Sequence, residues 1–165
     1  MRDLKADLLA ACMLIGEFRL RSGQTSDRYF DKYQFESDPK LLAAVATAMT
    51  PLVPREGEIL AGLELGGVPV ATALALQTGL PAAFVRKEAK AYGTCRLAEG
   101  VEIAGRNVVV VEDVVTTGGQ VLESTQALRE RGAIVETALC VMLRDDAAIE
   151  RFAEHDLALR PLFVL

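Results

Sequence analysis

The residues best placed to do chemistry lie at the end of one apolar run. Segment 108–119 passes from four valines into Glu112 and Asp113, and then through Val114 and Val115 into Thr-Thr-Gly-Gly. A helix is predicted to begin near Gln120. Free backbone amides and hydroxyls just before a helix can bind a phosphate. No lysine follows the glycines and no GxGxxG string is present, so this is neither of the two familiar phosphate loops.

The paired acids need an explanation of their own, because two carboxylates beside a phosphate would repel it. The hydroxyls of a ribose, with a magnesium ion nearby, would suit Glu112 and Asp113. The alternative is that these acids only end a strand and cap a turn. Spacing alone leaves both interpretations open.

The elements that must position this segment are predicted from alternating strand and helix patterns. Apolar, β-branched runs predict four strands, and helical stretches separate them. Asp38 followed by Pro39 is typical of a helix start, and that helix is predicted to reach about Leu52. Such alternation predicts an α/β fold with a central parallel sheet covered by helices on both faces. The predicted strands are 58–65, 82–86, 107–113 and 135–143, and the other helices are 69–79 and 119–132.

Four loops follow these strands and should meet at one rim, because ligands of such sheets bind beyond the carboxyl ends of the strands. Before the first of them, residues 3–16 have helical spacing. Two short strands, at 18–23 and 28–35, are predicted around a turn at 23–27. We expect these to form a small N-terminal lid. The four loops contain residues 64–67, 86–90, 112–119 and Arg144.

Composition limits the class of protein. The chain has 165 residues, a net charge of −5 and half its residues apolar, which predicts one domain over 1–165. Three widely spaced cysteines and a single histidine, His155, give no zinc or disulfide pattern. We expect a cytoplasmic protein that binds neither membrane nor nucleic acid, because no long apolar run and no secretion-type start are present and the balance is acidic.

The segment from Val109 to Val121 resembles the phosphoribosyl diphosphate signature of the type I phosphoribosyltransferases. That resemblance implies the fold of that family, with a small hood formed mainly by residues 1–36 and a C-terminal segment. It implies that Glu112 and Asp113 bind the ribose hydroxyls, that Asp113 is catalytic, and that the loop binds the 5-phosphate. The residues so assigned are Glu112, Asp113, Val114, Val115, Thr116, Thr117, Gly118 and Gly119.

A second string, RKEAK at residues 86–90, resembles the catalytic loop of the orotate phosphoribosyltransferases. Taken alone it could be a solvated charged segment. The resemblance implies that Arg86 and Lys90 reach into the active site of a partner subunit, that Lys87 assists, and that Lys90 is catalytic through contact with the diphosphate. Mobile cations closing over pyrophosphate would stabilise its developing charge. Tyr92 stands where this family usually has histidine.

Three further strings resemble the same family. FRLRSG, with the aromatic strand after it, resembles the hood over the base, and this assigns Arg21 and Phe30 to the substrate site. LELGGVP resembles the pyrophosphate loop, which assigns Gly66 and Gly67, and VMLRDD assigns Arg144 to the orotate carboxylate. A guanidinium fork suits a carboxylate. By themselves these strings could be a β-hairpin, a strand-to-helix turn and a surface arginine.

The resemblance implies an orotate phosphoribosyltransferase, a pentosyltransferase of pyrimidine (UMP) biosynthesis. It uses 5-phosphoribosyl 1-diphosphate, with Mg²⁺ held by substrate and water rather than by protein ligands, and acts as a homodimer with shared sites. Three alternatives stay open: a phosphoribosyltransferase for a purine or uracil, a non-catalytic phosphoribosyl diphosphate sensor, and a generic nucleotide or phosphosugar binder. The acidic chain disfavours a nucleic-acid-binding sensor.

Overall fold

The strands in the described part of the chain form two separate sheets. The structure is a computed structural model that describes residues 3–19, 23, 25–88 and 96–165. A two-stranded antiparallel sheet, which we call the hood, lies near the N-terminus, and a six-stranded sheet contains the remaining strands. Helices flank the larger sheet, so the predicted α/β class is confirmed.

The strands are β1 Met13–Arg19, β2 Thr25–Phe30, β3 Ile59–Leu63, β4 Ala82–Val85, β5 Ala98–Glu99, β6 Asn107–Val115, β7 Ile134–Leu143 and β8 Ala158–Val164. The helices are α1 Leu4–Cys12, α2 Tyr33–Ser37, α3 Pro39–Met49, α4 Gly67–Thr78, α5 Gly119–Arg129 and α6 Ala147–Ala153, with one 3-10 turn at Thr50–Leu52. Among the described residues, none of these helices has the length and apolar character needed to cross a membrane.

The order of the strands explains where a ligand would bind. The large sheet runs β5-β4-β3-β6-β7-β8, with β5 antiparallel to β4 and the other pairs parallel. From β3 the chain first moves outward to β4 and then returns to the other side of β3 as β6. The loop after β3 therefore leads toward one edge of the sheet and the loop after β6 toward the other, which leaves a crevice between them. Ligands bind at such switch points in open α/β sheets.

The four-valine run is buried because β6 lies at the centre of the sheet with helices on both faces. Val108 and Val110 belong to one core cluster, whereas Val109 and Val111 belong to the cluster on the opposite face. Successive side chains of a strand point to opposite faces. A strand covered on both faces therefore needs apolar residues without interruption, as the sequence predicted.

Several predicted boundaries are confirmed. The Asp38 carboxylate accepts hydrogen bonds from the amides of Lys40 and Leu41 at 2.8 and 3.1 Å, and Pro39 is the first residue of α3. Helix α4 ends at Thr78 and is capped by Gly79, whose φ of 76° is left-handed and suits glycine. These local signals fix helix ends independently of the rest of the fold.

The N-terminal region departs from its prediction. Helix α1 ends at Cys12, not near residue 16, and β1 begins at Met13 because it pairs with β2, Met13 lying opposite Phe30. The second predicted strand, residues 28–35, instead spans Thr25–Phe30, and α2 follows at Tyr33–Ser37. Pairing with a distant segment overrode the local helical spacing here.

The C-terminal part adds elements that the sequence patterns did not predict. Helix α6 and strand β8 follow β7, and β8 is an edge strand of the large sheet. The Lys5 ammonium donates to the carbonyl oxygen of Val164 at 2.5 Å, which joins the end of β8 to α1. Strand β6 also runs two residues past the acids to Val115, because β7 continues beside it to Leu143.

Candidate active site

The loop between β6 and α5, residues 116–119, forms an open cradle at the carboxyl edge of the sheet. Thr116 and Thr117 are exposed, and a cavity of about 270 Å³ lies beside them, lined by Glu112 and by residues 114–121. Within the described part of the chain, the four amides of this loop donate no hydrogen bond. Free amides at a helix N-terminus are suited to an anion.

Helix α6 contacts the cradle on the side opposite the cavity. Gly118 has a φ of +79°, and a Cβ at this position would lie 2.0 Å from the ring of Phe152. Nη1 of Arg151 donates a hydrogen bond to the carbonyl oxygen of Thr117. The backbone of the loop is therefore fixed on the side that faces away from the cavity.

The paired acids of β6 have different surroundings. Glu112 is half-buried and lines the cavity, and its Oε1 accepts a hydrogen bond from the Asp113 amide at 2.9 Å. The Asp113 side chain is 1% exposed, and its Oδ2 lies 2.5 Å from Nζ of Lys32. A lysine from the segment before α2 thus neutralises the more deeply buried acid.

Glu36, four residues after Lys32, completes a cluster around Asp113. A Cβ built on Gly66 would lie 1.5 Å from Asp113 Oδ2 and 2.8 Å from Glu36 Oε1, so both carboxyl oxygens lie above this glycine. Glu36 Oε1 is buried and has no hydrogen-bond partner among the described residues. Because Gly66 has no side chain, the Asp113 carboxylate can occupy the space beside its Cα. We call Lys32, Glu36, Gly66 and Asp113 the Asp113 pocket.

The three acids in and beside the Asp113 pocket, Glu36, Glu112 and Asp113, differ in their pKa values. Burial, reinforced by Asp113, raises the pKa of Glu36 to about 8 and that of Glu112 to about 9. Burial also acts to raise the pKa of Asp113, but the interactions of its carboxylate with Glu112, Glu36 and the Lys32 ammonium outweigh burial and lower that pKa. Asp113 is therefore the ionised acid near neutral pH, while its two neighbours retain protons.

The two glycines after β3 bring α4 close to β6. A Cβ at Gly67 would lie 2.3 Å from the carbonyl oxygen of Val111. Close backbone approach alone thus requires glycine here, whatever else the loop does. The loop also contacts the basic segment, since Glu64 Oε1 accepts from the Lys87 amide at 2.5 Å.

The start of the basic segment faces the N-terminus of α5. A cavity of about 460 Å³ is lined on one side by Arg86 and Lys87 and on the other by Gly119 and Gln120. Nε of Arg86 lies 3.7 Å from Glu99 of β5. The structure therefore places these two cations near the cradle. Lys90 and Tyr92 lie outside the described residues.

Of the three other predicted substrate residues, the structure describes two, one in the hood and one at the rim of the sheet. Phe30 pairs with Met13 in the hood and packs against the core cluster that contains Leu8 and Phe35. Arg144 is exposed at the end of β7, and its amide donates to the Val115 carbonyl at 2.9 Å, which places it beside the end of β6. Arg21 lies outside the described residues.

Sequence reasoning missed Lys32, Glu36 and Arg151. The spacing of Lys32 and Glu36 is a signal that could have been used, because residues four apart share one helix face. This helical spacing was overlooked because residues 28–35 were interpreted as a strand. Arg151 gave no signal, since a single arginine in a helical stretch is ordinary.

Comparison with known proteins gives consistent results. Residues 34–157 match the sequence model of the family described as the phosphoribosyl transferase domain. An orotate phosphoribosyltransferase of a Nocardioides species is 52% identical over 159 residues, which cover 96% of this chain and 89% of that protein.

Solved structures resemble the whole chain. An orotate phosphoribosyltransferase of Mycobacterium tuberculosis, in complex with Fe(III) dicitrate, matches with a TM-score of 0.88 and 33% identity over 99% of this chain and 95% of that one. The same enzyme in complex with 5-phospho-alpha-D-ribosyl 1-diphosphate matches with a TM-score of 0.83 and 29% identity over 99% and 94% of the two chains.

Proposed function

The chain belongs to the phosphoribosyltransferase family, and we propose that it is the pentosyltransferase that makes orotidine 5-monophosphate in pyrimidine biosynthesis. The reaction transfers the phosphoribosyl group of 5-phosphoribosyl 1-diphosphate to N1 of orotate and releases pyrophosphate. Near-full-length similarity to orotate phosphoribosyltransferases supports this substrate pair. The observation that carries the proposal is the segment 112–119, in which two acids and a loop of free amides meet at the switch point of the sheet.

The cradle and the acids bind different parts of the sugar substrate. The amides and hydroxyls of residues 116–119 bind the 5-phosphate, since these amides have no acceptor among the residues that the structure describes and lie at the start of α5. Glu112 and Asp113 accept hydrogen bonds from the ribose hydroxyls, and Val114 and Val115 place the loop relative to the acids. Held at both ends, the sugar presents its anomeric carbon in a fixed position.

The chemistry needs stabilisation of charge more than a protein nucleophile, because orotate is itself an anionic attacker. Arg86, Lys87 and Lys90 stabilise the leaving pyrophosphate, and the amides of Gly66 and Gly67 face the same group. Magnesium bound to substrate oxygens would neutralise part of the diphosphate charge. We propose that Mg²⁺ would be held by substrate oxygens and water, while Glu112 and Asp113 bind the ribose hydroxyls.

Arg144 and the hood select the base. The exposed guanidinium at the end of β7 pairs with the orotate carboxylate, and Arg21 and Phe30 form part of the hood over the ring. A purine or uracil lacks that carboxylate and would leave Arg144 without a partner.

An assay of pyrophosphate release with orotate, uracil, adenine, guanine and hypoxanthine tests the proposed substrate. We expect turnover with orotate and at least about 100-fold lower kcat/KM with the other bases, because each leaves a charged group unpaired. Arg144→Met should reduce the preference for orotate. Higher activity with a purine or uracil would contradict the proposal.

We further propose a cytoplasmic homodimer in which Arg86 and Lys90 serve the partner's site. Lys90→Ala and Asp113→Asn should each be inactive alone. If the sites are shared, a random mixture of the two should recover roughly one quarter of parent activity, because half the dimers are hybrids with one intact site each. No recovery, with subunit exchange demonstrated by differently tagged chains, would contradict shared sites.

A further inference from the structure

Helix α6 contributes one polar contact to the phosphate cradle. Nη1 of Arg151 donates a hydrogen bond to the carbonyl oxygen of Thr117, 34 residues earlier in the chain. Arg151 is half-buried, and the neighbouring Phe152 is fully buried against Gly118. We infer that Arg151 is a positioning residue that orients and polarises the Thr117–Gly118 peptide unit for the 5-phosphate. This inference rests on the proposed function of the cradle.

The geometry of a peptide unit supports this role. The carbonyl of Thr117 and the amide of Gly118 belong to one planar trans unit, so the two groups point in opposite directions. With its carbonyl held on the α6 side by Arg151, this unit directs the Gly118 amide to the other side. Within the described part of the chain that amide has no acceptor.

The charge of the guanidinium adds a second effect. A hydrogen bond to a carbonyl oxygen withdraws electron density from the unit and makes its amide a stronger donor, and a charged donor does so more than a neutral one. The positive charge also lies one peptide unit from the bound anion. Arg151 therefore strengthens phosphate binding through Thr117 and Gly118 without touching the phosphate.

A purely structural role for Arg151 is a weaker explanation, because Phe152 already fixes the loop. The ring of Phe152 fills the space where a Gly118 Cβ would lie. Gly118 is buried while Thr117 is exposed, so the packing in this loop is concentrated at Gly118 and Phe152. Loss of the Arg151 guanidinium should thus affect the substrate more than the fold.

Arg151→Met tests the inference, because methionine retains the apolar stem and removes both donor and charge. We expect the KM for 5-phosphoribosyl 1-diphosphate to rise roughly tenfold, as for a lost charged hydrogen bond, while kcat changes less than about threefold. Arg151→Lys should recover part of the loss, since the ammonium keeps the charge without the planar fork. The thermal midpoint should stay near that of the parent.

A matched control is Arg131→Met. Arg131 is an exposed arginine whose Nη1 also donates to a backbone carbonyl, that of Ala127 at 2.7 Å, but at the far end of α5. This control should leave the KM unchanged. An unchanged KM in Arg151→Met, or a fall in kcat and thermal midpoint that lysine does not recover, would overturn the inference.

Binding of ribose 5-phosphate, measured by calorimetry, separates this inference from the proposed function. Its affinity depends on the cradle and not on the base or the diphosphate. A parent that does not turn over orotate but binds ribose 5-phosphate, with a weaker Kd in Arg151→Met, would contradict the proposed substrate and support the role of Arg151. Equal Kd values in parent and variant would overturn that role in any case.

Discussion

The cradle at residues 116–119 and the Asp113 pocket lie a few residues apart on one segment, yet they are prepared for a ligand in opposite ways. The cradle is open, with amides that have no partner among the described residues. Asp113 is buried and already paired with Lys32 at 2.5 Å. The cradle can bind an anion without losing a contact, whereas Asp113 must lose its ion pair with Lys32 before it binds a sugar.

The difference indicates where binding costs free energy. An open set of fixed donors requires little rearrangement, which is the advantage of a preorganised site. Binding of ribose hydroxyls to Asp113 instead requires the Lys32 ammonium to move. That lysine is 31% exposed, so its ammonium can reach water. We expect the Lys32 ammonium to exchange Asp113 for water when the ribose hydroxyls bind that carboxylate, so that neither charge is left without hydrogen bonds.

Gly118→Ala breaks the cradle and should have the largest effect. Alanine would be strained at a φ of +79°, and its Cβ would lie 2.0 Å from the Phe152 ring. We expect the free energy of unfolding to fall by about 2–5 kcal/mol, combining backbone strain with overpacking. Activity should be lost with it. Denaturant unfolding measures the change.

Gly79→Ala isolates the backbone part of that effect. Gly79 has a similar φ of +76°, but a Cβ there would meet nothing within 4 Å. Its cost should be about 1 kcal/mol. Equal losses in the two variants would show that Phe152 does not constrain the cradle.

Lys32→Met leaves Asp113 buried without its ion pair, and should destabilise the free protein by about 1–3 kcal/mol. Lys32→Arg, which retains the charge, should lose less. Thermal unfolding with and without 5-phosphoribosyl 1-diphosphate and Mg²⁺ measures both variants. The loss in Lys32→Met should shrink when substrate is bound, because ribose hydroxyls then satisfy Asp113. A loss of the same size in both conditions would argue against the exchange.

Glu36→Gln should have the smallest effect, and one that depends on pH. The pKa of Glu36 rises from 4.5 to about 8 on folding, so the unfolded chain releases this proton first as pH increases. Parent stability therefore falls between about pH 4.5 and 8 because of this group. The variant lacks that dependence. It should match the parent near pH 5 and exceed it by about 1 kcal/mol at pH 8.5, after allowance for solvent screening.

Unfolding curves of parent and variant at the two pH values test this expectation. Glu150→Gln, at an exposed position on α6, is a suitable control. A difference between Glu36→Gln and parent that stays constant with pH would show that the Asp113 pocket does not hold a proton on Glu36.

Much of the large sheet was predictable because its signals are local. The uninterrupted valines of β6 predict burial on both faces, and Asp38 with Pro39 predicts the start of α3. The segment 112–119 was likewise recognisable, since its residue types carry the chemistry. Helix α1 was overextended because Met13 and Ile15 fit a helix as well as a strand, and only pairing with β2 decides between them.

The remaining site residues depend on tertiary contacts that no local pattern contains. Lys32 and Asp113 are 81 positions apart, and Arg151 meets Thr117 across 34. Neither pair has a spacing that sequence alone could detect. The glycine at 66 was assigned to the pyrophosphate loop, but the structure shows that it also leaves room for the Asp113 carboxylate. Predictions for Arg21 and Lys90 rest on resemblance.

A crystal structure with 5-phosphoribosyl 1-diphosphate and Mg²⁺ is the most direct test of the central claim. We predict the 5-phosphate against the amides of residues 116–119, the ribose hydroxyls on Glu112 and Asp113, and Lys32 Nζ more than 4 Å from Asp113 Oδ2, beyond ion-pair distance. A sugar bound elsewhere, with Lys32 still paired to Asp113, would contradict the account.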